Sequence, residues 1–286
     1  MDFRTISTEV LVIGGGVAGL RAAVAAAELG TEVAIVSKPS CASPEIMGFN
    51  APVMPGDSKE LYFSDIEQSG YGINDSRLAM VLSEHVLDEV TYLEGLGLEF
   101  DRDAEGRYLP IHTLGTAYPR LIKTGVSSGS AEMRILKTRC GELGVKQYAP
   151  VDILGLLVSR GHVLGAYGLD LGSGELLRFT ASAVVLATGG CGAMQSFSTY
   201  PKALTGDGYA MAYEAGARLT DMEFQQFEPC CFIWPEELSG KVIATTLLRH
   251  GAVLRNGEGR DFLADYGLTR ENAQKGSLAR AMLSEV

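Results

Sequence analysis

Glu9-Val10-Leu11-Val12-Ile13-Gly14-Gly15-Gly16-Val17-Ala18-Gly19-Leu20 is an apolar run that ends in Gly-x-Gly-x-x-Gly and passes into the alanine-rich stretch Ala22–Leu29. The order predicts a strand, a tight turn and a helix. Gly14 permits the turn, Gly16 lets the backbone approach a pyrophosphate, and Gly19 lets the helix pack closely on the strand. The first helical turn, with Val17 and Ala18, offers unpaired N–H groups and a positive dipole end to that pyrophosphate. Gly30 is placed to end the helix. Thr31–Val36 then reads as a second strand, which completes a βαβ unit. The chain is therefore read as a dinucleotide binder, and the competing reading is a glycine-rich turn in another α/β protein. Ser37-Lys38 follows the second strand, where a nicotinamide-binding unit usually carries Asp or Glu on the ribose. Ser37 can still hydrogen-bond a ribose, but the departure argues against bound NAD.

Working outward, 286 residues with 46% hydrophobic and 21% charged side chains describe a globular chain with a substantial core. The net charge of −11 argues against nucleic acid or an anionic membrane surface as the main partner, while leaving room for a local basic pocket. Met1-Asp2-Phe3-Arg4 shows no signal pattern, and no apolar run reaches the ~18 residues of a membrane span. Cys41, Cys140, Cys191, Cys230 and Cys231 fit no zinc or iron–sulfur spacing, so no metal is expected. Their odd number predicts reduced thiols in a cytoplasmic protein. The adjacent Cys230-Cys231 reads as two buried small side chains, with redox chemistry as the alternative.

Residues 39–76 show little periodicity and read as a long loop. Residues 77–97 predict a helix with Leu78, Val81, Leu82, Val86, Val90 and Leu93 on one face, and 130–143 predicts another. Residues 153–158, 163–169 and 176–179 read as a three-stranded antiparallel ribbon, turning at Arg160-Gly161-His162. Ala183–Ala187 follows as a separate apolar strand, buried on both faces of a parallel sheet.

That strand ends in Thr188-Gly189-Gly190. Two further stretches follow, Thr205-Gly206-Asp207-Gly208-Tyr209-Ala210-Met211-Ala212-Tyr213-Glu214-Ala215-Gly216-Ala217 and Leu219-Thr220-Asp221-Met222-Glu223-Phe224-Gln225-Gln226-Phe227-Glu228-Pro229. Together they resemble the succinate dehydrogenase/fumarate reductase flavoprotein family, which includes L-aspartate oxidase. The resemblance takes in Gly14–Gly19, Leu96–Asp101 and Leu254–Phe262, so that nearly the whole chain aligns with the family's N-terminal half. It implies FAD at the first βαβ unit. The contacts it implies are Gly14, Gly16, Val17, Ala18, Gly19, Ser37, Lys38, Ala187, Thr188, Gly189, Gly190, Gly206 and Asp207. Asp207 also reads as the N-cap of a helix over 208–216.

The chain departs from the family in several places. Glu228-Pro229-Cys230 stands where the resemblance implies His-Pro-Thr, residues that help hold a dicarboxylate. Glu228 is an anion there and repels a substrate carboxylate unless protonated or paired, which counts against fumarate or succinate. His250 occupies the place of the family's proton-relay glutamate and is chemically able to relay protons. Its other reading is a surface or core histidine. Lys275 falls at the family's catalytic arginine, keeping the charge but losing the bidentate fork, with Arg280 as the alternative. No histidine lies in 37–49, so FAD is expected to be non-covalent, as in soluble members, with Cys41 as the alternative covalent ligand.

The resemblance thus implies an α/β fold. A Rossmann-like FAD-binding domain (parallel sheet plus antiparallel β ribbon) occupies 1–234, and the start of an α+β capping domain occupies 235–286. It implies hydride transfer between flavin N5 and an activated C=C or CH–CH substrate, such as an unsaturated carboxylic acid. Family chains are roughly twice as long, so the chain reads as an N-terminal half with part of the flavin site uncovered and a tendency to associate. The alternatives are a flavin-binding electron-transfer subunit that needs a separate partner chain, and a truncated inactive fragment. Neither nucleic acid binding nor direct membrane insertion is expected.

Overall fold

The computed structural model describes residues 3–270 and 273–285. In chain order its elements are β1 (Arg4–Ile13), α1 (Val17–Glu28), β2 (Val33–Val36), β3 (Phe49–Asn50), α2 (Lys59–Ser69), α3 (Ser76–Gly95), β4 (Leu121–Ile122), α4 (Ser128–Glu142), β5 (Lys146–Tyr148), β6 (Val151–Ser159), β7 (His162–Asp170), β8 (Leu176–Leu186), α5 (Asp207–Glu214) and α6 (Lys275–Ser284), with short 3-10 turns between some of them. These elements form two compact units. The first takes residues up to Ile46 together with Ser127–Met222, and the second takes Met47–Val126 together with Glu223 onward. This division is by compactness. The boundary placed after residue 234 is a division by role and remains a proposal.

The first unit is built on one six-stranded sheet of order β5-β2-β1-β8-β7-β6. β1 runs parallel to β2, with Val10 opposite Val33, and parallel to β8, from Arg4 opposite Leu177 to Ile13 opposite Leu186. β2 pairs in parallel with β5, and β7 pairs antiparallel with both β8 and β6. All four residues of β2 are buried, as a continuous apolar run in a parallel sheet requires. α1 buries Gly19, Leu20, Ala23 and Val24, its small residues allowing close approach. The core gathers Ile6, Leu11, Ile13, Val36, Val151, Ile153, Leu177, Phe179 and Met211.

Four sequence expectations need correction. The ribbon and the parallel sheet are not separate: Leu176–Leu186 is one strand of 11 residues, its first half paired with β7 and its whole length with β1. Its C-terminal end is not covered on both faces, since Val184 packs on the core while Leu186 is 36% exposed. The supposed loop 39–76 contains α2, opened by Ser58, whose Oγ accepts from the Leu61 amide at 3.2 Å. α3 buries Ala79, Ser83, Val86, Val90 and Leu93, whereas Leu78, Val81 and Leu82 point outward. Its N-terminal half therefore carries apolar residues on the wrong face for the pattern to reveal.

α4 buries Ser128, Gly129, Glu132, Ile135, Leu136 and Cys140. Glu132 is 4% exposed and its Oε1 has no hydrogen-bond partner. Burial pushes its carboxyl up to about 7 from 4.5. Below the unfolded pKa the group is neutral in both states and costs nothing. As pH rises from about 4.5 to about 7 the unfolded chain ionises first, so stability is lost across that window, roughly 3 kcal/mol in all. Glu132→Gln is expected to remove this loss. The urea-unfolding difference between variant and wild type then grows from pH 5 to pH 8. A difference that does not change with pH refutes the assignment.

The second unit carries the two-stranded β3–β4 ribbon, α2, α3 and α6. Phe49 packs edge-on against Phe100, with ring centroids 5.6 Å apart. A second cluster of Leu248, Phe262, Leu263, Ala273, Leu278 and Ala281 buries one face of α6.

Candidate functional site

In the first unit, the C-terminal ends of β1, β2 and β8 and the N-terminus of α1 enclose a groove of about 740 Å³. That lies within the ~300–1,000 Å³ usual for cofactor sites. Its walls include Gly14, Gly16, Ala18, Ser37, Lys38, Ala187, Thr188, Gly189, Gly190 and Asp207. Ten of the thirteen sequence-predicted cofactor contacts are therefore brought together. Val17, Gly19 and Gly206 do not line the groove; each acts behind its wall.

Gly14 and Gly19 work as an interlock. Gly14 has φ +123°, and a Cβ there would lie 2.1 Å from the Ala187 carbonyl oxygen. A Cβ on Gly19 would lie 1.8 Å from the Gly14 oxygen. The glycine turn, α1 and the end of β8 thus close on one another through backbone alone, leaving a wall without side chains. Val17 contributes its amide, which donates to Ser43 Oγ at 3.0 Å. Sequence reasoning does not find Ser43. It sits in the loop after β2, where no periodicity marks it, and only its hydroxyl chemistry hints at a role.

Gly206 is the N-cap of α5 in a left-handed conformation, and α5 begins at Asp207 itself. Asp207 does not cap the helix as expected. Its carboxylate accepts from Lys38 Nζ at 2.5 Å and from Thr205 Oγ1 at 2.8 Å. A cationic donor outcompetes a neutral amide for an anion, since charge-assisted hydrogen bonds are the stronger ones. Asp152 of β6 lies 3.2 Å from the same Nζ. Burial works against the charge of Lys38, but the bonds to Asp207 and Asp152 outweigh it and raise its pKa. Burial likewise favours protonation of Asp207, but Lys38 and Thr205 hold its pKa down. Ser37 commits its backbone to the sheet, donating to Tyr148 O at 3.0 Å and accepting from Val151 N at 2.9 Å, so its hydroxyl is the group left for a ligand.

This donor set fits a dinucleotide. A bare-backbone wall, a helix N-terminus without a capping side chain of its own, and hydroxyls on Ser37 and Thr188 are what a pyrophosphate and ribose need. Among the described residues no group of three or more His, Cys, Asp or Glu is placed to hold a metal ion.

The second unit brings together two of the three predicted catalytic residues. Lys275, the first residue of α6, donates to Glu228 Oε2 at 2.6 Å across 47 residues of sequence. Glu228 is therefore paired. Cys230 is buried and Cys231 half-buried, and burial, reinforced by the Glu228 charge, raises both thiols. A raised thiol is the less reactive one, which suits the reading of Cys230 and Cys231 as small packing side chains. His250 ends the 3-10 turn Thr245–His250, is exposed, and has no bond to Lys275 or Glu228 among the described residues. A histidine that the sequence did not single out stands beside that turn. His112 Nδ1 lies 3.4 Å from Arg249 Nη1, and its Nε2 lies 2.8 Å from the Thr116 carbonyl, to which it donates.

A family model described as "FAD binding domain" matches residues 9–286. A fumarate reductase (CoM/CoB) subunit of Methanothermobacter marburgensis is 34% identical over 100% of this chain and 54% of its own length. An L-aspartate oxidase of Caulobacter vibrioides is 31% identical over 99% of this chain and 57% of its own. Among solved structures, E. coli quinol fumarate reductase superposes with a TM-score of 0.91 at 27% identity, covering 99% of this chain and 51% of that one. The chain spans about half the length of the curated relatives it matches.

Proposed function

The chain belongs to the FAD-binding-domain family that the fumarate reductase/succinate dehydrogenase flavoproteins and L-aspartate oxidase represent, and from this we propose that it serves FAD-dependent oxidoreduction at a CH–CH or CH–NH bond. The observation that carries the proposal is the interlock of Gly14, Gly19 and Ala187, which shapes a backbone-walled groove for the cofactor's pyrophosphate. When bound, FAD supplies the hydride acceptor or donor. The chain's own residues bind and orient it. With FAD bound, the glycine wall and the α1 N-terminus would hold its pyrophosphate and Ser37 a ribose, while the Lys38–Asp207 pair fixes the start of α5. No histidine lies in 37–49, and the Cys41 sulfur lies 3.8 Å from that of Met133, which supports a cofactor held without a covalent bond.

Acid precipitation of the purified chain is expected to release a yellow flavin into the supernatant. A colourless chain that takes up no added FAD refutes the reading.

For the reaction itself, the groups at hand are Lys275, whose Nζ donates to Glu228 Oε2, and the imidazole of His250, which is open to solvent. The pair neutralises the one charge that a substrate carboxylate would seek at Lys275. The substrate class that suits it is an unsaturated or amino compound that places no second carboxylate there. Glu228→Gln frees the lysine, and the KM for fumarate in a reduced-viologen assay is expected to fall roughly tenfold, about 1.4 kcal/mol. The KM for a neutral enone moves little. Efficient fumarate turnover by wild type, unchanged in the variant, refutes the role given to Glu228.

The Methanothermobacter marburgensis relative is named as a subunit, and we include an electron-transfer partner chain in the proposal. Phe227, Ile233 and Trp234 in the second unit, 64–81% exposed, are side chains that such a partner could cover. All five cysteines are free, which suits the reducing cytoplasm. No helix among the described residues is long and apolar enough to cross a membrane.

A further inference from the structure

A diphosphate brings two negative charges into the groove of a chain whose net charge is already −11. A helix N-terminus offers only about half a positive charge. Here the first amide of α1 is already engaged by Ser43. Of the two groove lysines, Lys38 faces two carboxylates, Asp207 at 2.5 Å and Asp152 at 3.2 Å, so it brings no net positive charge to a ligand. A full cation must come from elsewhere.

The geometry points to Lys137 of α4. It lines the groove together with Gly14–Gly16, and it also lines an adjoining shallow depression with Pro44, Ser130, Met133, Arg134 and Thr138. Its position relative to the glycine turn follows from a chain of contacts. A Cβ on Gly16 would lie 2.8 Å from Ser43 Oγ and 3.9 Å from Cys41 Cβ. Cys41 Sγ lies 3.8 Å from Met133 Sδ, and Lys137 stands one helical turn beyond Met133 on the same face. Neither Lys137 nor Arg134 has a carboxylate within ion-pair distance among the described residues, although α4 otherwise pairs its charge, Arg139 holding both Glu28 and Glu142 at 3.0 Å. A flexible, unpaired ammonium at the rim of a phosphate-shaped backbone wall is suited to close on the ligand as it docks.

We propose that Lys137 is a diphosphate-binding residue of this groove, supplying the positive charge that Lys38 cannot. The inference deepens the FAD reading and rests on it for the identity of the ligand. The chemistry it recognises is an adenosine diphosphate moiety, which free ADP shares with FAD.

Titrations of the full chain, stripped of flavin, test it with FAD, ADP and adenosine as separate probes. FAD is followed by flavin fluorescence, and ADP and adenosine by calorimetry. Lys137→Gln is expected to weaken FAD and ADP about tenfold, to flatten the salt dependence of both, and to leave adenosine unchanged. Lys137→Arg, which keeps the charge, restores binding. Lys137 is exposed, so the far-UV circular dichroism of the variants should match wild type. Equal FAD and ADP affinities with and without Lys137 overturn the proposal alone. An equal loss for adenosine overturns it too, since that loss is not electrostatic. A wild-type chain that binds ADP but not FAD, with ADP weakened in Lys137→Gln, supports Lys137 and overturns the flavin. A wild-type chain that binds neither overturns both.

Discussion

Gly19→Val is expected to yield a chain without flavin. A Cβ at this position would lie 1.8 Å from the Gly14 carbonyl oxygen and 3.3 Å from Ala187 Cβ. The nearer atom is backbone, so no side chain can rotate away. Gly14 itself has little room to retreat, because it sits so close to the Ala187 carbonyl that even a Cβ of its own would collide there. α1 must therefore lift off β1, and its N-terminal amides move away from the groove. Overpacking of this kind costs typically about 1–3 kcal/mol, and more where backbone must shift. The stability loss and the flavin loss then arise from one displacement. The ratio of flavin to protein absorbance measures the second, and a urea titration the first. Gly30→Asn is the matched control. Gly30 has φ +83° and nothing within 4 Å of where a Cβ would stand, and asparagine tolerates that conformation. It should keep its flavin. A Gly19→Val chain with full flavin content refutes the interlock and removes the observation on which the functional reading rests.

The parts of this site that were legible in the sequence are those fixed by backbone geometry. Gly14, Gly16, Gly19 and the Thr188-Gly189-Gly190 turn are constrained locally, so their spacing carries their meaning. β8 was half legible. Its alternating first half and its apolar second half look like two strands, because one edge of the same strand pairs antiparallel and the other parallel. α2 escapes detection because only Tyr62 of its residues is buried, so no apolar stripe marks it. The partners of charged residues were not legible at all. Lys38 finds Asp207 across 169 residues, and Lys275 finds Glu228 across 47, separations at which sequence pattern has no purchase. For the same reason the reading of Asp207 as a helix cap fails. The local rule is sound, but a distant cation wins the carboxylate. Glu228 shows the value of correcting in the other direction. Its anomaly is visible from the residue alone, and the pairing explains how the fold tolerates it.

Arg120→Ala is expected to cost about 3–5 kcal/mol, a large share of a domain's stability of roughly 5–15 kcal/mol. Arg120 is fully buried. Its Nε and Nη2 grip both oxygens of Asp57 at 2.7 Å each, a bidentate fork, while Nη1 donates to Asp65. Burial works against its charge, but the bonds to Asp57 and Asp65 outweigh it and hold the guanidinium charged. The carboxylates are themselves tied to backbone, Asp57 accepting from Ser58 N at 2.9 Å and Asp65 from Ala117 N at 2.8 Å. The arginine thus joins the segment before α2, α2 itself and the residues leading into β4. Alanine leaves two carboxylates with no cation, one of them fully buried, and opens a void between Tyr62 and Tyr118, whose rings lie 5.0 and 5.9 Å from the guanidinium carbon. Lysine keeps the charge but cannot grip both oxygens of Asp57 and reach Asp65 at once, so Arg120→Lys should fall between wild type and alanine. The loss belongs to the second unit, and limited proteolysis of Arg120→Ala should therefore cut first within 47–126. If the alanine variant unfolds within about 1 kcal/mol of wild type, the pair is offset by its own desolvation, and packing by Phe49, Phe100 and Tyr62 is what holds these segments.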